Sequence, residues 1–228
     1  MQYPYEIAGH SGYVAQQNRV LRNTYALLAL SMAPTVLGAF IGVQLGFSFL
    51  EGSPLMGFLL FLGVAWGFMW GIERNKDSGL GVMLLLGFTF FMGLMLSRML
   101  GFALGLSNGA TLIALAAGGT GAVFFTLAGI ATATKRDFSG LSKFLFVGVV
   151  VLLLASLANV FFQVPALAVT ISAVAVMIFS VFILVDVSRV VTGGETNYIM
   201  ATLAIYLDIY NLFVNLLNLL MIFSGERD

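Results

Sequence analysis

Residues 198–223 read YIMATLAIYLDIYNLFVNLLNLLMIF. The run is apolar from end to end, broken mainly by one carboxylate, Asp208, and three amides, Asn211, Asn215 and Asn218. Its length matches the roughly 20 residues an α-helix needs to cross a hydrocarbon core about 30 Å thick. Six further stretches of similar length and character precede it: 24–46, 54–72, 80–97, 110–133, 144–162 and 165–185. None shows the roughly ten-residue alternation of a transmembrane strand. The 228-residue chain is 60% hydrophobic and 9% charged, whereas a soluble domain carries about 25% charged residues. Of the charged residues, only Asp208 lies inside one of the seven stretches. The expected fold class is therefore all-α, a polytopic membrane protein. It comprises a polar tail over 1–23, one seven-helix transmembrane domain over 24–223, and a short tail over 224–228 across the membrane from the first.

Absences narrow the function. There is no cysteine, which excludes disulfides, iron–sulfur clusters and cysteine zinc sites. The one histidine, His10, lies in the tail, so neither a Ser/His/Asp triad nor an HExxH metal site can form in the bundle. Net charge is zero, and no Lys/Arg cluster suggests a nucleic-acid surface or a polybasic lipid-binding tail. The Gly118-Gly119-Thr120-Gly121 run lacks the spacing of a phosphate-binding loop. No cofactor is expected. The first 23 residues do not have the form of a cleaved signal, so the first stretch is read as an uncleaved anchor.

Basic residues divide unevenly between the two ends. Arg19, Arg22, Arg74, Lys76, Lys135, Arg136, Lys143 and Arg189 fall on one side of the predicted topology, and only Arg98 and Arg227 on the other. The positive-inside rule then places the N-terminus in the cytoplasm and the C-terminus across the membrane. Glycines at four-residue spacing, Gly38, Gly42 and Gly46 in the first stretch and Gly63, Gly67 and Gly71 in the second, are read as close packing inside the bundle. No internal repeat of the kind common in secondary transporters is evident.

Intramembrane ionisable groups are costly and point to function. Asp208 is the unambiguous case; Asp186 ends the sixth stretch. At 100° per residue, Asp208, Asn211, Asn215 and Asn218 fall within about an 80° arc and form one polar stripe. Ser156, Asn159 and Gln163 form a similar stripe on the fifth helix, so Asn159 joins the residues expected near the aspartates. Two carboxylates in contact at low dielectric cannot both ionise cheaply, so Asp186 and Asp208 could share a proton and act as a proton sensor. Protonated, the pair is held by a hydrogen bond; ionised, it separates or admits a cation, and calcium prefers such oxygen ligands. Measured from the Gly193-Gly194 turn at 1.5 Å per residue, however, Asp186 lies about 10 Å and Asp208 about 21 Å along their helices. Arg189, one turn from Asp186, is an alternative partner for it.

The run Gly193-Gly194-Glu195-Thr196-Asn197-Tyr198-Ile199 and the segment Tyr206-Leu207-Asp208-Ile209-Tyr210-Asn211-Leu212-Phe213 resemble the Bax inhibitor family of seven-helix membrane proteins. Val20-Leu21-Arg22-Asn23-Thr24-Tyr25 and the segment from Ala158 to Leu167 are similar to its bacterial branch of FtsH-protease modulators. The resemblance implies a bundle with the seventh helix at the centre, in the bacterial inner membrane. It implies two functional descriptions: a regulatory partner that restrains the membrane-anchored ATP-dependent protease FtsH, and a pH-sensitive calcium leak gated by an aspartate pair at the positions of Asp186 and Asp208. A polar tail over Met1–Asn23, loose enough for an unfoldase to grip, suits the first; Asp208 suits the second. An intramembrane aspartyl protease would also use two aspartates on adjacent helices. Here, though, Asp208 follows Ile205-Tyr206-Leu207 where such enzymes resemble one another in Gly-x-Gly-Asp, and Pro165-Ala166-Leu167 precedes both aspartates. A non-enzymatic membrane protein is the expected reading.

Overall fold

Backbone amides have no water to bond in a bilayer, so each apolar stretch satisfies them internally as a helix. A computed structural model describes residues 4–47 and 54–225, with side chains described over 16–47 and 56–225. Among these residues the elements are α1 (Pro4–Gln44), α2 (Pro54–Arg74), α3 (Gly79–Leu104), α4 (Gly109–Thr134), α5 (Ser142–Phe162), α6 (Pro165–Thr192) and α7 (Tyr198–Gly225), with a single 3₁₀ turn at Ser139–Leu141 before α5. All seven α-helices are long and apolar enough to cross a membrane. The chain is a seven-helix, all-α membrane protein. The last residues of the expected C-terminal tail, 226–228, lie outside the described residues.

The helices extend beyond the apolar runs. The clearest case is α1, which is helical from Pro4 through the segment expected to be a loose tail. Once a helix is nucleated, each added residue gains a hydrogen bond without a new nucleation cost, so it continues into polar sequence where hydropathy no longer marks it.

The glycine rows divide. A methyl group at Gly38 would collide with the Phe90 carbonyl and one at Gly93 with the Thr35 carbonyl, so α1 and α3 approach backbone to backbone. Gly42 packs against Ser97 in the same seam. Gly63 and Gly67 of α2 instead have nothing within 4 Å, and only Gly71 touches a neighbour, Leu84. The internal-packing reading thus holds for Gly38 and Gly42 but not for the middle of α2, which has too few neighbours to cover it.

Helix α7 packs against α1, α2, α3, α4 and α6, and no residue from Tyr198 to Ile222 is exposed. Among the described residues, helix α5 touches only α6 and the 3₁₀ turn. The turns cluster by end. Asn197, before α7, reaches Asp77 between α2 and α3; Phe138, between α4 and α5, reaches Ser188 near the end of α6; Gln17 of α1 lies against Gly193. These contacts gather at one end of the bundle the segments that carry the eight basic residues from Arg19 to Arg189.

Candidate functional site: a carboxylate pair between α6 and α7

The end of α6 is shaped by Gly193, whose φ of +82° suits glycine and closes the helix. The Glu195 N–H donates to the Arg189 carbonyl at 3.0 Å, completing the turn. Asn197 then starts α7. Its side-chain oxygen accepts the N–H groups of Ile199 and Met200 at 3.0 and 3.1 Å, satisfying amides that the first helical turn leaves unpaired. Its amide donates to the Lys76 carbonyl at 3.0 Å and to Asp77 at 2.8 Å. One residue thus caps α7 and ties its start to the α2–α3 turn.

Further along, α7 is fixed by hydroxyl and amide contacts to three other helices. Thr202 donates to the Thr24 carbonyl of α1 at 3.3 Å. The Tyr206 hydroxyl bonds with the Thr35 hydroxyl at 2.9 Å and lies 3.5 Å from the Thr89 carbonyl of α3. Tyr210 donates to the Met92 carbonyl of α3 at 3.2 Å, and Asn218 donates to Ser172 of α6 at 2.8 Å. Tyr206 and Tyr210 read as apolar in the sequence; their hydroxyls, which need partners when buried, were the signal of a structural role.

In this frame Asp186 and Asp208 come together across the α6–α7 interface, their carboxyl groups within hydrogen-bonding reach. Asp186 is six residues from the end of α6 and Asp208 ten from the start of α7. That difference amounts to about 6 Å along the helix axes, which the five-residue connection Gly193–Asn197 and helix tilt absorb. Asp208 is 6% exposed, and its Oδ2 is buried with no hydrogen-bond partner among the described residues. Asp186 also pairs with Arg189, Nη1 to Oδ1 at 3.5 Å. Arg189 and Asp208 are therefore both partners of Asp186.

The amide stripe does not act as one group. Asn211 and Asn215 donate to carbonyls of their own helix, Leu207 and Asn211, each at 2.8 Å; only Asn218 reaches across to another helix. Asn159 is a correction. Its side-chain oxygen accepts the Val164 N–H at 3.0 Å and closes α5, and α5 does not touch α7. Asp186 lies 21 residues beyond Pro165, at the far end of α6, or about 30 Å away. Ser156 and Gln163 of the same stripe are exposed. A polar face on one helix does not identify the helix it meets.

Among the described residues no three His, Cys, Asp or Glu side chains gather to hold a metal. Two carboxylates supply at most four of the six to eight oxygens that calcium takes. The arrangement suits a shared proton, or an ion in transit that keeps part of its water, better than a stored metal.

A sequence profile of the family described as "Inhibitor of apoptosis-promoting Bax1" matches residues 17–225. The chain is similar to an uncharacterized protein of Neisseria meningitidis, 39% identical over 97% of this chain and 99% of that one. It is similar to the "Modulator of FtsH protease YccA" of Escherichia coli, 38% identical over 89% of this chain and 90% of the relative. A third relative, an uncharacterized protein of Pseudomonas aeruginosa, is 39% identical over 93% and 95%. With a family profile spanning both aspartates and relatives aligned over nearly their whole lengths, this chain belongs to the Bax inhibitor family of membrane proteins.

Proposed function

We propose that this chain is a non-catalytic, multi-pass regulator of the bacterial inner membrane that binds and restrains a membrane-anchored, ATP-dependent protease of the FtsH type. The observation that carries this reading is its 38% identity, over 89% of its length, to the E. coli protein named for that activity. In the proposed orientation α7 is the central helix, the N-terminus and the basic end face the cytoplasm, and the C-terminus faces the periplasm. The N-terminal arm then lies on the side where an FtsH-type ATPase works. Helical from Pro4, the arm offers an unfoldase a poorer grip than a loose tail would, which favours a partner that occupies the protease over one that is consumed. The test is degradation of a membrane substrate by purified FtsH in nanodiscs, with and without this protein. Restraint predicts slower loss of substrate and survival of this chain; unchanged degradation rejects the reading.

A second reading, compatible with the first, is a proton-gated cation leak, with calcium as the favoured ion. It rests on a specific observation, two carboxyl groups meeting in a buried interface with one oxygen unpartnered. Protonated, they hold α6 to α7; ionised, they repel and leave room for a hydrated cation. Calcium entry into liposomes at about pH 6 and about pH 8, bracketing neutrality, tests it. Flux that rises at the higher pH and loses that dependence in Asp208→Asn or Asp186→Asn supports the leak. Silence of all three proteins at both pH values rejects it.

A further inference from the structure

Arg189 has no part in either reading, yet it forms the ion pair seen among the described residues. Its side chain is 41% exposed, and it reaches back one turn to Asp186, whose side chain is 14% exposed. Both residues are on α6 at i,i+3 spacing, so their pairing does not depend on how α6 packs against α7. Among the described residues Asp208 has no comparable partner: Asp186 is beside it, and its Oδ2 has nothing to bond.

The other charged groups around the site do not duplicate Arg189. Glu195, in the α6–α7 connection, adds negative charge near Asp186. Asp137, in the α4–α5 connection, is exposed and also feels Arg189. Its carboxyl is held below the usual range, chiefly by the Ser139 N–H and hydroxyl, so it remains an anion. α4 has no charged residue and α7 none but Asp208. Lys143 of α5 and Arg19 and Arg22 of α1 are exposed and form no ion pair with Asp186.

Two carboxyl groups in contact with one proton between them are equivalent only if their surroundings are. Here a fixed cation lies beside one of them. We infer that Arg189 is the counter-ion of the aspartate pair: it holds Asp186 as the carboxylate and leaves the shared proton on Asp208. The inference rests on the second reading above, that the pair shares a proton. It makes α7 the side that titrates and α6 the side that does not, because Asp186 keeps its cation whether or not the helices part. Arg189 is thus a positioning residue, acting through Asp186.

The test is infrared titration of the whole protein in nanodiscs, following the C=O stretch of a protonated carboxylic acid in the wild type, Asp208→Asn, Asp186→Asn, Arg189→Gln and Arg189→Lys. The Arg189 side chain is 41% exposed, so its variants are expected to fold, and size-exclusion and circular dichroism check this. The wild-type acid band is expected to vanish in Asp208→Asn and to persist in Asp186→Asn. In Arg189→Gln the band should survive to a pH about one unit higher, and in Arg189→Lys it should return to near the wild-type midpoint. A band lost in Asp186→Asn but kept in Asp208→Asn overturns the assignment of the proton and leaves the shared-proton reading standing. A midpoint in Arg189→Gln equal to that of the wild type overturns the role of Arg189, again without touching the pair. Absence of any acid band in the wild type across the titration removes the shared proton, and the inference with it.

Discussion

Helices α5 and α7 are built from almost the same apolar vocabulary and sit in opposite surroundings. From Phe144 to Phe162, α5 has no charged residue, yet Leu145 is its single buried residue, and Phe144, Phe146, Phe161 and Phe162 stand exposed. α7 carries an aspartate and three asparagines, and Ile199, Ile205, Tyr206, Leu212 and Leu217 are almost wholly buried. In water the ranking would be reversed. In a bilayer, lipid tails solvate leucine as well as a protein core does, so the most apolar helix has no reason to hide and the most polar one must. Burial on these two helices therefore follows the location of hydrogen bonds, and the exposed aromatics of α5 form a surface suited to lipid.

Substitutions on the two helices sharpen that contrast, beginning with α7. Tyr206→Ala removes a buried ring packed against Phe88 and a hydroxyl bonded to Thr35. It is expected to cost about 4 kcal/mol, the scale of large aromatic truncations in cores, measured as a lowered unfolding free energy in bicelles. Leu154→Lys on the exposed face of α5 should cost about 3 kcal/mol in a membrane-insertion assay, the usual figure for a charge at a helix centre. A lysine tolerated there at no cost would mean that this face meets water or a polar partner. Asn218→Ala, which breaks the bond to Ser172, should cost only about 0.6 kcal/mol, as interhelical hydrogen bonds in membranes generally do. Leu157→Ala, exposed on α5, should change unfolding by less than about 0.5 kcal/mol. If it matched Tyr206→Ala, the distinction between the two helices would collapse.

The seven helices were legible because an apolar run of spanning length has few other uses, and Asp208 stood out because a charge inside such a run is expensive. What neighbours what was less legible. The rise per residue set Asp186 and Asp208 at different depths, and the course of Gly193–Asn197, with Asn197 tied to the α2–α3 turn, together with helix tilt brings them level. Asn159 was grouped with the pair because periodicity reports a polar face without reporting the helix opposite. The helical arm of α1 went unseen because hydropathy stops at the membrane and hydrogen bonding does not. Gly63 and Gly67 had the same spacing as Gly38 and Gly42; only the structure distinguishes a seam from an open face.

The meeting of Asp186 and Asp208 in the α6–α7 interface is tested most directly by a double-mutant cycle. Unfolding free energies in bicelles near neutral pH would be measured for the wild type, Asp186→Asn, Asp208→Asn and the double variant. Contact between the carboxyl groups predicts a coupling of about 1 kcal/mol or more. Effects that add to within about 0.3 kcal/mol, as for independent sites, would contradict it.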